Sequence, residues 1–141
     1  MKLSARSRYA ARLLLDLAMQ EADKPVRTAL LSEHTGITVQ FIEQIIRPLK
    51  KADLIKSVRG AAGGHILDKN PADITLGLII RIMEGGINIA DCLDCDSKCD
   101  RSLDCKTRNV WERASRAMEA ELDSITLADL MDTPDDCSTM D

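Results

Sequence analysis

The residues of this chain best suited to chemistry lie in one short segment, Cys92-Leu-Asp-Cys95-Asp-Ser-Lys-Cys99-Asp-Arg-Ser-Leu-Asp-Cys105, a C-x2-C-x3-C-x5-C pattern. Loops this short bring thiolates together at little closure entropy, so the four sulfurs can converge on one soft metal centre. Zinc ribbons present two paired C-x2-C knuckles and this segment has one, whereas irregular spacing in a single loop suits an iron–sulfur cluster. The plainer alternative is a surface loop of inert or adventitiously oxidised thiols. A second set lies between Thr38 and Lys51. There Gln40 and Gln44 can form bidentate pairs with adenine, Glu43 can accept from cytosine N4, and Arg47 and Lys51 stand where phosphates would run. Its plainer alternative is a solvated helix face.

The composition narrows what these sets can serve. Of 141 residues, 45% are hydrophobic and 30% charged, the profile of a globular chain of one domain. Aromatics are 2%, namely Tyr9, Phe41 and Trp111, too few to read single strands by base stacking. The net charge of −4 hides a split: residues 1–60 carry 11 Lys/Arg against 6 Asp/Glu, and residues 61–141 carry 8 against 17. The first half could face a polyanion and the second would repel it. No apolar run approaches the roughly 18 residues of a membrane helix, and a cytoplasmic chain is expected. Five cysteines, an odd number in a reducing compartment, favour metal or redox work over a disulfide framework.

The elements that must position these residues are mostly helical. From Ser4 to about Glu21, Tyr9, Ala10, Leu13, Leu14, Leu17 and Ala18 repeat with the helical period, leaving Arg6, Arg8 and Arg12 largely off the stripe. A short helix from Thr28 to Thr35 is closed by Gly36. The next begins near Thr38 and buries Ile42, Ile45, Ile46 and Leu49, so the pair reads as helix-turn-helix, with Pro48 expected to bend the second member. Leu54 to Arg59 and His65 to Leu67 are strand patterns around the turn Gly60-Ala61-Ala62-Gly63-Gly64, which reads as a wing. Arg59 beside Gly60 can enter a minor groove, and His65 lies near phosphates. The turn is not a nucleotide loop, because no Lys-Ser or Lys-Thr follows Gly64. His34 reads as a surface helix residue.

Asp73-Ile74-Thr75 leads a helix through Leu76, Ile79, Ile80 and Met83 to Gly85-Gly86. Past the aperiodic cysteine segment, Val110, Trp111, Ala114, Met118, Leu122 and Ile125 define a long helix in which Trp111, Met118 and Ile125 recur every seven residues. Thr126 and Asp129 resemble a capping box opening one last short helix, and a mobile Pro/Asp/Ser-rich tail is expected from about Thr133. The expected organisation is a winged helix-turn-helix region over residues 1–85, a cysteine loop over 86–106, a dimerisation helix with a short C-terminal helix over 107–131, and a tail over 132–141. The fold class is mainly α with a small β-hairpin.

Arg8-Tyr9-Ala10, Ile37 to Gln44, Ser57-Val58-Arg59-Gly60 with Gly63-Gly64, and the Cys92, Cys99, Cys105, Trp111 series together resemble the Rrf family of bacterial winged-helix regulators. The resemblance spans roughly residues 1–131. It implies a homodimer that binds operator DNA, with Trp111, Met118, Leu122 and Ile125 at the dimer interface. It also implies a two-iron or four-iron cluster on Cys92, Cys99 and Cys105. The family's fourth ligand is a His three residues after the last Cys or an acid in the first helix; here those positions hold Arg108 and Arg8. Neither arginine can ligate iron. Cys95 then becomes the candidate fourth thiolate, ahead of Cys137 or a loop Asp, and His65 stands where the family's wings often carry an aromatic residue.

The DNA-binding set is therefore Thr38, Gln40, Glu43, Gln44, Arg47, Lys51, Arg59, Gly60 and His65. The leading reading is a transcription regulator, expected to repress, that senses iron–sulfur status, redox state or nitric oxide through its cluster; no enzymatic activity is expected. Two readings remain beside it: a cluster-free regulator controlled by a partner protein or small ligand, and a small iron–sulfur electron carrier, which would have no use for a wing.

Overall fold

The computed structural model describes residues 2–94, 99–101 and 103–134, so Cys95, Cys137 and most of the expected tail lie outside the described residues. Ser4 opens the first helix, α1 (Ala5–Met19), its hydroxyl accepting from the Ser7 amide in place of an intrahelical partner. Ala10, Leu13, Leu14 and Leu17 are its buried stripe, and the helix packs on most of the others described below. That stripe is part of one hydrophobic core shared with the next three helices and the residues beside them, whose removal from water stabilises the fold at about 25 cal/mol per Å² of apolar surface.

The helix-turn-helix follows as α2 (Thr28–Thr35) and α3 (Val39–Lys51). Gly36 joins them at φ 71°, a left-handed conformation that costs a residue without Cβ little. Thr38 caps α3 by accepting from the Phe41 amide, and the helix continues through Pro48 to Lys51. The hairpin pairs β1 (Ile55–Val58) with β2 (Gly64–Leu67) in antiparallel register, Ser57 opposite His65 and Val58 opposite Gly64. Both strands are four residues long: β1 is two residues shorter than the Leu54–Arg59 pattern, and β2 begins one residue earlier than the His65–Leu67 pattern, at Gly64.

Beyond a short turn at Pro71–Asp73 comes α4 (Leu76–Glu84), opened by the Thr75 side chain accepting from the Leu78 amide and closed by Gly85 at φ 83°. The cysteine segment leads to α5 (Lys106–Ser124), then α6 (Leu127–Met131). The expected capping box is present: Thr126 accepts from the Asp129 amide, and the Asp129 carboxylate accepts from the Thr126 amide. Ile125 ends α5 in extended conformation instead of extending its heptad. Its carbonyl accepts from the Leu76 amide, and the Leu127 amide donates to Ile74. These two bonds tie the end of the described chain to the start of α4. Among the described residues no helix is long and apolar enough to cross a membrane.

Candidate nucleic-acid interface and cysteine loop

The two faces of α3 divide cleanly. Ile42, Ile45, Ile46 and Leu49 are buried, whereas Gln40, Glu43, Gln44, Arg47 and Lys51 are all exposed on the side the apolar stripe leaves free. Thr38 is exposed at the leading end, and Lys50, which the sequence reading passed over, adds a further exposed cation in the last turn. Among the described residues no ion pair engages Arg47, Lys51 or Arg59, so their charges remain available to an external anion. A helix with a free polar first half is the element a major groove admits.

Contacts from α1 fix the orientation of this helix. Tyr9 meets Phe41 edge to face, with centroids 5.7 Å apart and planes at 87°. Arg8 and Arg12 lie over the Tyr9 ring at 5.8 and 5.6 Å, and Arg12 also donates to the Thr35 carbonyl at the end of α2 (3.2 Å). Such a ring pair adds about 0.5–1.5 kcal/mol beyond area burial. The Arg8-Tyr9-Ala10 run thus aims the helix-turn-helix from outside it.

The wing carries Arg59 and Gly60 at its exposed turn. Its second strand is stitched to the segment before α2: the Val26 amide donates to the His65 carbonyl (2.9 Å) and the His65 amide donates to Val26 (2.8 Å). Gly64 is required at this crossing, because a Cβ there would stand 2.5 Å from the Val26 carbonyl carbon and oxygen. The ring of His65 is turned into the root of the wing. Its Nδ1 lies 2.9 Å from Ser57 Oγ and its Nε2 3.1 Å from Thr28 Oγ1. Arg27 reaches across to donate to the Ala61 carbonyl inside the turn. No local signal marks Arg27 or Thr28 as wing residues, because their partners lie more than thirty positions along the chain. His34, as expected, is an exposed helix residue, its Nδ1 3.1 Å from Asp16.

The cysteine loop is held at its two ends. Asn88 donates to Asp94 (2.6 Å), the Ile89 amide donates to Ser115 Oγ on α5 (3.1 Å), and Cys92 lies in the short turn Asp91–Leu93. Cys92, Cys99 and Cys105 are free and half-buried. Cys105 is the N-cap of α5. Hydrogen bonds from the Thr107 hydroxyl first, then from the Arg108 amide, hold its thiol below the usual range. Among the described residues, no three His, Cys, Asp or Glu side chains are gathered around one point that could hold a metal ion. In kind, the donor set fits an iron–sulfur group: three soft sulfurs on one loop, one of them favoured as thiolate by a helix start.

On α5, Val110 and Trp111 are exposed, at 52% and 43%, and only Ser115 of its nineteen residues is buried. Met118 and Leu122 line a groove of about 310 Å³ with Leu3, Ile80 and Ile87. Arg81 fastens α4 to α5 through Glu119 (2.8 Å) and Asp123 (2.7 Å).

Helix-turn-helix and adjoining hairpin together define a winged-helix protein. Residues 3–133 match the model of the Rrf2 family, described as iron-dependent transcriptional regulators. The chain belongs to that family and is a transcriptional regulator of this type. It is 40% identical over 131 residues to the protein rrf2 of Nitratidesulfovibrio vulgaris, covering 93% of this chain and 87% of that one. Among solved structures, T. potens IscR is 38% identical with a TM-score of 0.75, over 93% of this chain and 86% of that one. CymR, the global cysteine regulator of B. subtilis, is 32% identical with a TM-score of 0.78, over 96% and 99%.

Proposed function

We propose that this chain is a homodimeric repressor that reads operator DNA with α3 and the wing, and that an iron–sulfur cluster on the cysteine loop governs its affinity. The observation that carries the DNA reading is the polar stripe of α3, exposed and uncommitted opposite a fully buried apolar one. Gln40, Glu43 and Gln44 meet base edges, Thr38, Arg47 and Lys51 hold the backbone, and Arg59 with Gly60 enters the adjacent minor groove. Dimerisation through α5 sets two recognition helices on half-sites about one turn of DNA apart, or a multiple of it. The exposed Trp111 and the groove beside Met118 and Leu122 support that arrangement.

Cys92, Cys99 and Cys105 would hold the cluster, with Cys95 as the fourth thiolate; when bound, it supplies a centre sensitive to oxygen or nitric oxide. The chain's own part is to carry the three thiols on one short segment between α4 and α5. The same segment carries Asp91, Asp94, Asp96, Asp100 and Asp104, whose negative charge disfavours adding an electron to an anionic group. Among the described residues the sulfurs are not gathered around one point, which keeps a second reading beside the first, a cluster-free regulator answering to a partner or small ligand. Anaerobic purification with iron and sulfide analysis separates the two: stoichiometric iron and sulfide support the cluster, and a colourless protein that still shifts DNA supports the alternative. Sedimentation tests the dimer, which Met118→Glu should dissociate by burying a charge in the seam.

A further inference from the structure

The wing of this protein is fastened to its helix-turn-helix by more than the backbone bridge. His65 sits on β2 opposite Ser57 of β1, and its ring reaches past that partner to the first residue of α2. One ring nitrogen meets Ser57 Oγ at 2.9 Å and the other Thr28 Oγ1 at 3.1 Å, so a single side chain joins both strands of the hairpin to the helix below. Both hydroxyls rotate freely to donate or accept, which lets a neutral imidazole satisfy both contacts in either tautomer. Burial first, and then Lys50, hold the ring below the ordinary imidazole range against the opposing pull of Glu43, so the neutral form is the one that bridges.

Hairpins of four-residue strands are marginal by themselves, and nothing in β1 or β2 alone fixes the direction in which their turn projects. That direction decides where Arg59 and Gly60 meet DNA. We propose that His65 is a positioning residue for DNA recognition: by bridging Ser57 and Thr28 it locks the wing to α2 and sets the distance between the Arg59 turn and the reading face of α3. It acts through the wing without itself touching DNA. The inference rests on the DNA reading of α3 and the wing given above.

The test uses His65→Phe, which keeps a planar ring and loses both hydrogen bonds, and His65→Gln, which keeps polar reach. Thr28→Val and Ser57→Ala remove one partner hydroxyl each and leave the imidazole in place. The probe is duplex DNA selected by the parent protein from a randomised pool. His65→Phe should weaken binding about tenfold, the equivalent of about 1.4 kcal/mol. It should lose minor-groove hydroxyl-radical protection at the wing while keeping major-groove protection at α3. Thr28→Val and Ser57→Ala should each move the footprint the same way, His65→Gln should recover part of the affinity, and Arg59→Ala should cost little more once His65→Phe is present. Loss of affinity in His65→Phe with no effect of Thr28→Val or Ser57→Ala would mean direct DNA contact and overturn the proposal; so would an unchanged footprint in all four variants.

Amide hydrogen exchange of the free protein separates this proposal from the DNA reading on which it rests. The Val26 and His65 amides should exchange faster in His65→Phe while those of α3 stay protected. If the pool yields no bound sequence but the exchange result holds, the DNA reading fails and the lock stands as a structural one. Unchanged exchange at Val26 and His65 overturns the lock itself.

Discussion

The wing and the cysteine loop both lie between helices, and the chain treats them in opposite ways. Around the wing, backbone bonds, a glycine that admits close approach, an arginine and a histidine all point inward and fix one geometry. Around the loop, the contacts seen among the described residues lie near its ends, at Asn88 with Asp94 and Ile89 with Ser115 on one side and at the Cys105 cap on the other, and Cys92, Cys99 and Cys105 form no disulfide. A surface that must match a regular duplex gains from being preorganised, because less freedom is lost on binding. A loop whose donors are to close around a ligand has no use for internal partners of its own. The contrast accords with the proposed division, recognition on the wing side and response on the loop side.

The comparison can be broken first at the scaffold of the reading helix. Leu49 is fully buried beneath α3. Leu49→Ala should cost about 2–5 kcal/mol in denaturant unfolding, through lost transfer energy and the cavity left behind. A loss below 1 kcal/mol would mean α3 is not anchored as described. Next in size is the crossing of β2 over Val26. Gly64→Ala forces a methyl against backbone that cannot yield cheaply, and about 1–3 kcal/mol of overpacking is expected. A fully stable Gly64→Ala protein with an unmoved wing would remove the case for a rigid clasp.

Recognition itself is sharpened by Gln44→Ala, which should cost about 1–3 kcal/mol at one base position and relax preference there while leaving others intact. A uniform loss across sequences would reassign Gln44 to the backbone. The smallest effect is expected at the tie between α4 and α5. Hydrogen bonding by Arg81 holds the Asp123 carboxyl below its ordinary range. A depressed folded value means that the stabilisation is present above the unfolded carboxylate range and is lost as pH falls through the folded value. Both side chains are more than a third exposed, so Asp123→Asn should cost under about 1 kcal/mol at neutral pH, and nothing in acid. Parallel stability profiles for parent and variant down to acid pH would contradict that role.

How much of this was legible beforehand follows from the range of the interactions. The stripe of Ile42, Ile45, Ile46 and Leu49 repeats within one helix, so its period exposes both the element and its reading face. Gly36 and Gly85 mark helix ends because a left-handed residue is a local demand. The role of His65 was not legible, since its ring partner Thr28 is set by how β2 crosses the chain before α2. Glu84 is similar: it receives the Ser4 amide and the Ser7 hydroxyl across nearly the whole winged region, which no window of sequence reveals. The heptad of Trp111 and Met118 correctly marked a long helix but overran it at Ile125, where pairing with α4 overrides helical propensity.

The central claim is that the state of the cysteine loop is read out at α3 and the wing. It is tested most directly by measuring affinity for one selected operator, at one salt concentration, for the anaerobically purified protein carrying iron and sulfide, the apo protein and Cys99→Ala. The account predicts that apo protein and Cys99→Ala agree with each other and differ from the loaded protein by about 5–150-fold, a coupling of 1–3 kcal/mol. Equal affinity in all three would contradict it.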